Sequence, residues 1–175
     1  MNYITSEKGL ALIKHFEGLN DGDLTEIGLQ PKKDPSSIWT IGWGRAICDT
    51  NGKWLTGDSG YKRLLELYPN LETITIEEAD QMLSEDLGRF EDQVNSLDLK
   101  INQYQFDAIV SFVYNCGFGN FLNSTLIRRI KSGIGDIEEA WSWWNKSGGV
   151  VLKGLILRRA CESHLFLTGE LKFTT

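Results

Sequence analysis

With 175 residues, 41% of them apolar and including six Trp and eight Phe, the chain can bury a core of its own in one domain. The formal net charge of −6 excludes a protein built to neutralise phosphates, so no nucleic-acid partner is expected. Charge is unevenly spread, with 10 Lys or Arg against 19 Asp or Glu in residues 1–125 and 8 against 5 in residues 126–175; the basic set Arg128, Arg129, Lys131, Lys146, Lys153, Arg158 and Arg159 reads as solvated helix faces or as attraction for an anionic polymer.

The first predicted element is a helix capped by Thr5 or Ser6, with Leu10, Leu12, Ile13 and Phe16 as its apolar stripe and Gly18 as its stop. From Leu19 to Leu55, Gly, Pro and Asp interrupt short β-type runs. Ile38 to Trp43 reads as a strand, and Asn51-Gly52 as a hairpin signal ahead of Lys53-Trp54-Leu55. The helical period then returns. A helix over Tyr61 to Leu67 stops before Pro69, Thr75 and Glu78 form a capping box for a long helix to about Leu97, and Asn102 with Gln105 opens another that is apolar through Phe106, Ile109, Val110, Phe112 and Val113. Further helices are predicted at about 124–132, from Asp136, and from about Val151 to Leu167. Strands first and helices after them make an α+β chain rather than alternating βαβ units. Its β-containing part falls at about 18–57 and its helical part at about 58–170, the latter completed by the N-terminal helix. No Pro-rich or low-complexity linker divides residues 1–175, so a single domain is expected.

Cys48, Cys116 and Cys161 are odd in number, lack Cys-x-x-Cys spacing, and complete no zinc motif with His15 and His164. No disulfide framework or metal site is therefore expected, and reduced thiols suit synthesis in the cytoplasm. The N-terminus reads as neither signal peptide nor anchor, and no apolar run reaches the ~20 residues of a membrane span. A stable membrane association is not expected.

Glu17 closes an apolar helix and is followed by an acidic loop and a short sheet, an order that can set two carboxyl groups across a cleft. Glycoside hydrolysis uses such a pair. An ordinary exposed acid near a helix C-terminus is the plainer reading, although the helix dipole disfavours a negative charge there. Trp141, Trp143 and Trp144 can stack on sugars, but Trp on an amphipathic helix is more often core.

Three blocks carry a more specific signal: Leu12-Ile-Lys-His-Phe-Glu-Gly-Leu19 with Asp34-Pro-Ser-Ser-Ile-Trp-Thr-Ile-Gly-Trp-Gly44, Phe106 to Gly117 with Asn123-Ser-Thr-Leu126, and Trp144-Asn-Lys-Ser-Gly-Gly149 with Gly154 to Glu162. In order and extent the set resembles the phage-type lysozymes, glycoside hydrolase family 24. The resemblance implies a lysozyme-like fold with a small β-containing N-terminal lobe, a larger helical C-terminal lobe and the active-site cleft between them. It implies a catalytic trio of Glu, Asp and Thr, the Asp six residues before the Thr of a Thr-Ile-Gly strand, which falls on Glu17, Asp34 and Thr40.

The spacing from Glu17 to Asp34 is longer than the family's, so Leu19 to Lys33 looks like an insertion. Glu26, nine residues after Glu17, is the positional alternative for the second acid; Asp34 is preferred because its distance to the strand is kept, and insertions fall more readily in surface loops. Arg45 stands where the family commonly has His, at a position paired with an acid. Gly42 and Gly44 are either turn glycines or a bend that lets a sugar approach the backbone at Gly44. Asn115 resembles a polar residue that offers its amide to a saccharide; the alternative is an Asn that caps its own helix.

The implied reaction is hydrolysis of the β-1,4 bond between N-acetylmuramic acid and N-acetylglucosamine with inversion, with peptidoglycan glycan strands as the partner. A monomer, no cofactor, and release from the host cytoplasm to the wall through a separate holin go with that reading. A lytic transglycosylase and a wall-binding protein on the same scaffold are its rivals.

Overall fold

A computed structural model of the chain describes residues 2–173. Two compact units emerge: one is Glu17–Asp86, and the other joins the chain up to Phe16 with the chain from Leu87 onward. Helix α1 (Glu7–Glu17) ends as the first of these begins, and α3 (Ile76–Asn95) contributes to both.

The unit Glu17–Asp86 is built on a three-stranded antiparallel sheet, β1 (Lys32–Lys33), β2 (Trp39–Ile41) and β3 (Arg45–Ala46), in the order β1-β2-β3. Single antiparallel bridges extend it at Ile38 with Thr56, Cys48 with Trp54 and Asn20 with Gly42. Helix α2 (Gly57–Leu67) and a 3-10 turn (Pro69–Leu71) follow, Pro69 stopping the α-helix where its missing N–H cannot continue the ladder. The unit closes over Leu29, Ile41, Ile47, Leu55, Leu64, Ile74 and Ala79, flanked by Trp39, Trp43 and Tyr68. Ile41 and Leu64 are fully buried, each worth about 1.5–3 kcal/mol of removed apolar surface.

The other unit is helical: α4 (Gln103–Cys116), α5 (Phe118–Leu122), α6 (Thr125–Ser132), α7 (Ile137–Ser142) and α8 (Lys153–Thr168), with a hairpin of β4 (Lys146–Ser147) and β5 (Val150–Val151) ahead of α8. The expected caps form. Thr75 and Glu78 exchange bonds at 2.8 and 3.1 Å, Asn102 and Gln105 make a second box, and Asp136 accepts from the Glu139 N–H at 2.8 Å. Every residue of α4 from Phe106 to Val113 is buried, as in a helix covered on all sides.

Two polar residues in that stretch each have a partner. Asp107 accepts from both the N–H and the hydroxyl of Ser6, and the Ser111 hydroxyl donates to Glu162 at 2.7 Å. The Ser6 hydroxyl thereby ties the start of α1 to α4.

Three further details bear on the expected elements and faces. Val151 lies in β5, and the last helix begins at Lys153. Trp141 is core, its indole donating to Glu162 at 2.8 Å, whereas Trp143 is half exposed. Arg158 and Arg159 belong to no solvated face: both are buried against Glu162, at 3.2 and 2.8 Å.

Candidate active site

Glu17, Asp34, Thr40 and Gly44 all fall in the unit Glu17–Asp86, and Asn115 falls in the other. Glu17 is the last residue of α1 and half-buried. Gly18, at φ 73°, turns the chain out of the helix, a left-handed conformation that favours glycine.

Asp34 opens the turn between β1 and β2. Its N–H donates to the Ile38 carbonyl at 2.8 Å, and its Oδ1 accepts from the N–H groups of Ser36 and Ile38, both at 2.8 Å. This is an Asx-type turn, in which a short carboxylate stands in for backbone acceptors. Ser37, at φ 63°, sits at its apex.

The register pairs Lys33 with Trp39 and Lys32 with Thr40. Asp34 therefore lies opposite Ile38, and side chains alternate so that Asp34, Ile38 and Thr40 share one face of the hairpin. Asp34 lies one residue beyond β1, so it and Thr40 are diagonal neighbours across the hairpin. Thr40 is 7% exposed, and its hydroxyl donates to the Lys32 carbonyl at 3.0 Å. The opposite face carries Trp39, with the Lys33 ammonium 5.2 Å from its ring centre and bound to Asp58 at 2.7 Å.

The β2–β3 turn contains Gly42, Trp43 and Gly44. Both glycines are left-handed, at φ 59° and 92°, so the turn itself requires them. Gly44 is exposed with its Cα beside the Asn20 amide; the nearest atom to a Cβ built there is Asn20 Nδ2 at 3.8 Å.

Arg45 makes the acid pair expected of it, with Nε 2.9 Å from Asp86 and a second nitrogen 3.2 Å from Glu85. Burial pulls the Arg45 pKa down, but the hydrogen bonds and charges of Asp86 and Glu85 outweigh it and hold the guanidinium above its usual value. The Trp43 indole donates to Asp80 at 2.8 Å, so the turn is tied to α3 on both sides of Gly44.

The segment Leu19 to Lys33 is a loop that ends in β1, with anchors of its own. Gly22 N–H donates to the Gln30 carbonyl at 3.1 Å, and Leu29 and Ile74 exchange bonds at 2.8 and 2.9 Å. Glu26 is exposed and lines a cavity of about 360 Å³ with Gln30, Trp39, Tyr61 and Glu72. Asn115 is exposed near the end of α4 and lines a cavity of about 350 Å³ with Asn120, Trp144, Lys146 and Ser147. It does not cap its helix, because Gly117 supplies the closing N–H to Val113.

Asn20 was not singled out by any sequence pattern. Both its N–H and its side-chain amide donate to the Gly42 carbonyl, at 2.8 and 3.2 Å. Its partner lies 22 residues away, and no local spacing signals the pair. Among the described residues no group of three or more His, Cys, Asp or Glu is placed to hold a metal ion, and no helix is long and apolar enough to cross a membrane.

Residues 14–162 match the phage lysozyme family model. The endolysin of Bacillus phage PZA is 35% identical over 169 residues, covering 95% of this chain; the chain spans 56% of that relative's length. Among solved structures, the endolysin of the Escherichia coli phage FAHEc1 superposes with a TM-score of 0.76 at 32% identity, over 98% of each chain. The muramidase domain of SpmX from Asticaccaulis excentricus superposes at 0.69 with 32% identity, over 95% of this chain and 99% of that one. The α+β architecture, a small sheet region followed by a helical part, is the one these structures share.

Proposed function

The chain belongs to the phage lysozyme family, and from that premise we propose that it is a peptidoglycan muramidase, hydrolysing the β-1,4 bond between N-acetylmuramic acid and N-acetylglucosamine with inversion. Glu17 is the general acid that protonates the leaving oxygen. Asp34 and Thr40 hold and activate the water that attacks the opposite face of the sugar.

The observation that carries this reading is the hairpin that sets Asp34 and Thr40 on one face with their bonding capacity divided. Asp34 spends Oδ1 on two backbone N–H groups, so Oδ2 is the oxygen that can take a proton from water. Thr40 gives its own proton to the Lys32 carbonyl, so toward a water it acts as an acceptor. A water that donates one hydrogen to each has its lone pairs directed away from the hairpin, toward an anomeric carbon. Gly44 and Asn115 are the proposed sugar contacts, one through exposed backbone and the other through its amide.

Glycan strands of the wall are then the partner, for a monomer that acts without a cofactor. Passage from the host cytoplasm to the wall through a holin-made lesion belongs to the same proposal.

Digestion of purified walls by wild type and Glu17→Gln, with NMR of the fresh reducing end, tests the reading. The α-anomer should appear first from wild type, and the variant should lose nearly all turnover while keeping its fold, since an amide of the same shape has no proton to give. Retention of a tenth of wild-type turnover by the variant would remove Glu17 from the role of acid. Initial β-anomer would make Asp34 a nucleophile, and an anhydro product would make the enzyme a transglycosylase.

A further inference from the structure

We infer that Asn20 is a positioning residue for Glu17, its side-chain amide on the Gly42 carbonyl fixing the bend after α1 against the strand that carries Thr40. The inference rests on the proposed roles of Glu17 and Thr40.

The Gly42 carbonyl is a fixed point. Gly42 is buried, its left-handed backbone leaves 3.0 Å between a would-be Cβ and the Ala79 Cβ, Ile41 before it has no exposure, and the Trp43 indole after it is bound to Asp80. The bend on the other side is open by comparison. Gly18 has no atom within 4 Å of where a Cβ would stand, and Leu19 is 39% exposed. Asn20 is thus the first residue beyond Glu17 that the sheet holds, and it is held twice on one acceptor, by the backbone at 2.8 Å and the amide at 3.2 Å. One bond to a carbonyl leaves a pivot, whereas two donors from the same residue fix the direction as well as the distance.

The bend is also fastened apart from the rest of the insertion. Beyond Asn20 the loop is fastened independently, through Gly22 with Gln30 and Leu29 with Ile74. Its tip, where Leu24 and Ile27 are 86% and 96% exposed, lies beyond those fastenings as seen from Glu17.

The amide must donate to do this, and that separates it from a space-filling side chain. Asn20→Ala keeps the backbone bond and loses the second. Asn20→Asp has the same shape but, ionised, sets an acceptor against a carbonyl; protonated, it can donate again. Both variants should lower kcat about ten- to a hundredfold, the scale of a reacting group displaced by about 1 Å, with KM and melting temperature close to wild type. The ratio of Asn20→Asp to wild-type kcat should climb as pH falls through the carboxyl range, while the Asn20→Ala ratio stays level.

A rise in KM at unchanged kcat would overturn the inference, as would a loss of kcat that tracks a loss of melting temperature or a level Asn20→Asp ratio. Glu17→Gln run in parallel separates the two readings. If it is inactive while both Asn20 variants turn over normally, only the role of Asn20 falls; if it stays active, the acid assignment fails and this inference with it.

Discussion

Asp34 has two duties on two oxygens, and they can be separated. Oδ1 holds the N–H groups of Ser36 and Ile38 and so closes the β1–β2 turn, whereas the proposed chemistry needs a negative charge on the other oxygen. Asn keeps an acceptor for the turn and loses the charge; Ala loses both. Asp34→Asn should therefore abolish wall digestion with little change in melting temperature. Asp34→Ala should be equally inactive and also less stable by about 1–2 kcal/mol, the cost of leaving turn N–H groups without an acceptor. Thermal denaturation beside a turbidity assay reads both quantities, and an active Asp34→Asn would pass the role of base to another acid. The six-residue step from Asp34 to Thr40 is legible in the sequence only through the family resemblance; in the structure it is the internal length of one hairpin. Asn20 is invisible in the sequence because its bond to Gly42 depends on where the chain returns after the insertion.

The caps show the same division between local and distant causes at the scale of whole elements. Thr75 with Glu78, Asn102 with Gln105 and Asp136 with Glu139 are three residues apart, and each starts a helix where a sequence reader would start it. Helix α5 spans five residues and the β4–β5 hairpin has two-residue strands around Gly148-Gly149, lengths at which neither period repeats enough to be seen. The segment from Leu19 was expected as a loop; it ends in β1 at Lys32 and Lys33, and the loop before them is held by a distant partner. Gly28, at φ 96°, presses on Thr73 so closely that a Cβ would meet Thr73 Cγ2 at 2.5 Å. Gly28→Ala should detach the loop at a cost of about 1–3 kcal/mol, detectable as faster proteolysis between residues 22 and 28. Glu26→Gln, at an exposed site on an independently anchored element, should leave kcat within about twofold of wild type. Loss of turnover in Glu26→Gln together with retention in Asp34→Asn would move the second acid into the insertion.

Stability of the molecule as a whole depends on long-range bonds between the N-terminal segment and residues from 87 onward. Asn95 exchanges bonds with the backbone of Tyr3 at 3.0 and 2.8 Å, Glu91 accepts from Thr5 N–H at 2.8 Å, and Asp107 accepts from Ser6. None of this is legible in sequence, where Asp107 is one acid in an apolar helix; nor is the burial of Arg158 and Arg159, whose spacing to Glu162 is visible but whose enclosure depends on α4 packing on α8. Asp107 is fully buried, and burial raises its pKa above the ordinary 3.8, with the charge of Glu91 adding to the rise and the Ser6 and Gln103 hydrogen bonds opposing it. The folded chain therefore holds this proton at pH values where the unfolded chain has released it. Wherever the folded state binds more protons, stability falls as pH rises. The Asp107 contribution is thus fully present below the ordinary carboxyl value and is lost as pH climbs from there through the raised one. Asp107→Asn resembles the protonated form: its Oδ1 still accepts from Ser6 N–H, its amide can donate to the Ser6 hydroxyl, and it does not titrate. Urea denaturation across this window should show wild type losing stability relative to Asp107→Asn as pH rises, with the difference levelling off above it. A difference that stayed constant with pH, or grew in favour of wild type, would mean that Asp107 is held as a carboxylate and that the Ser6 and Gln103 hydrogen bonds outweigh its burial.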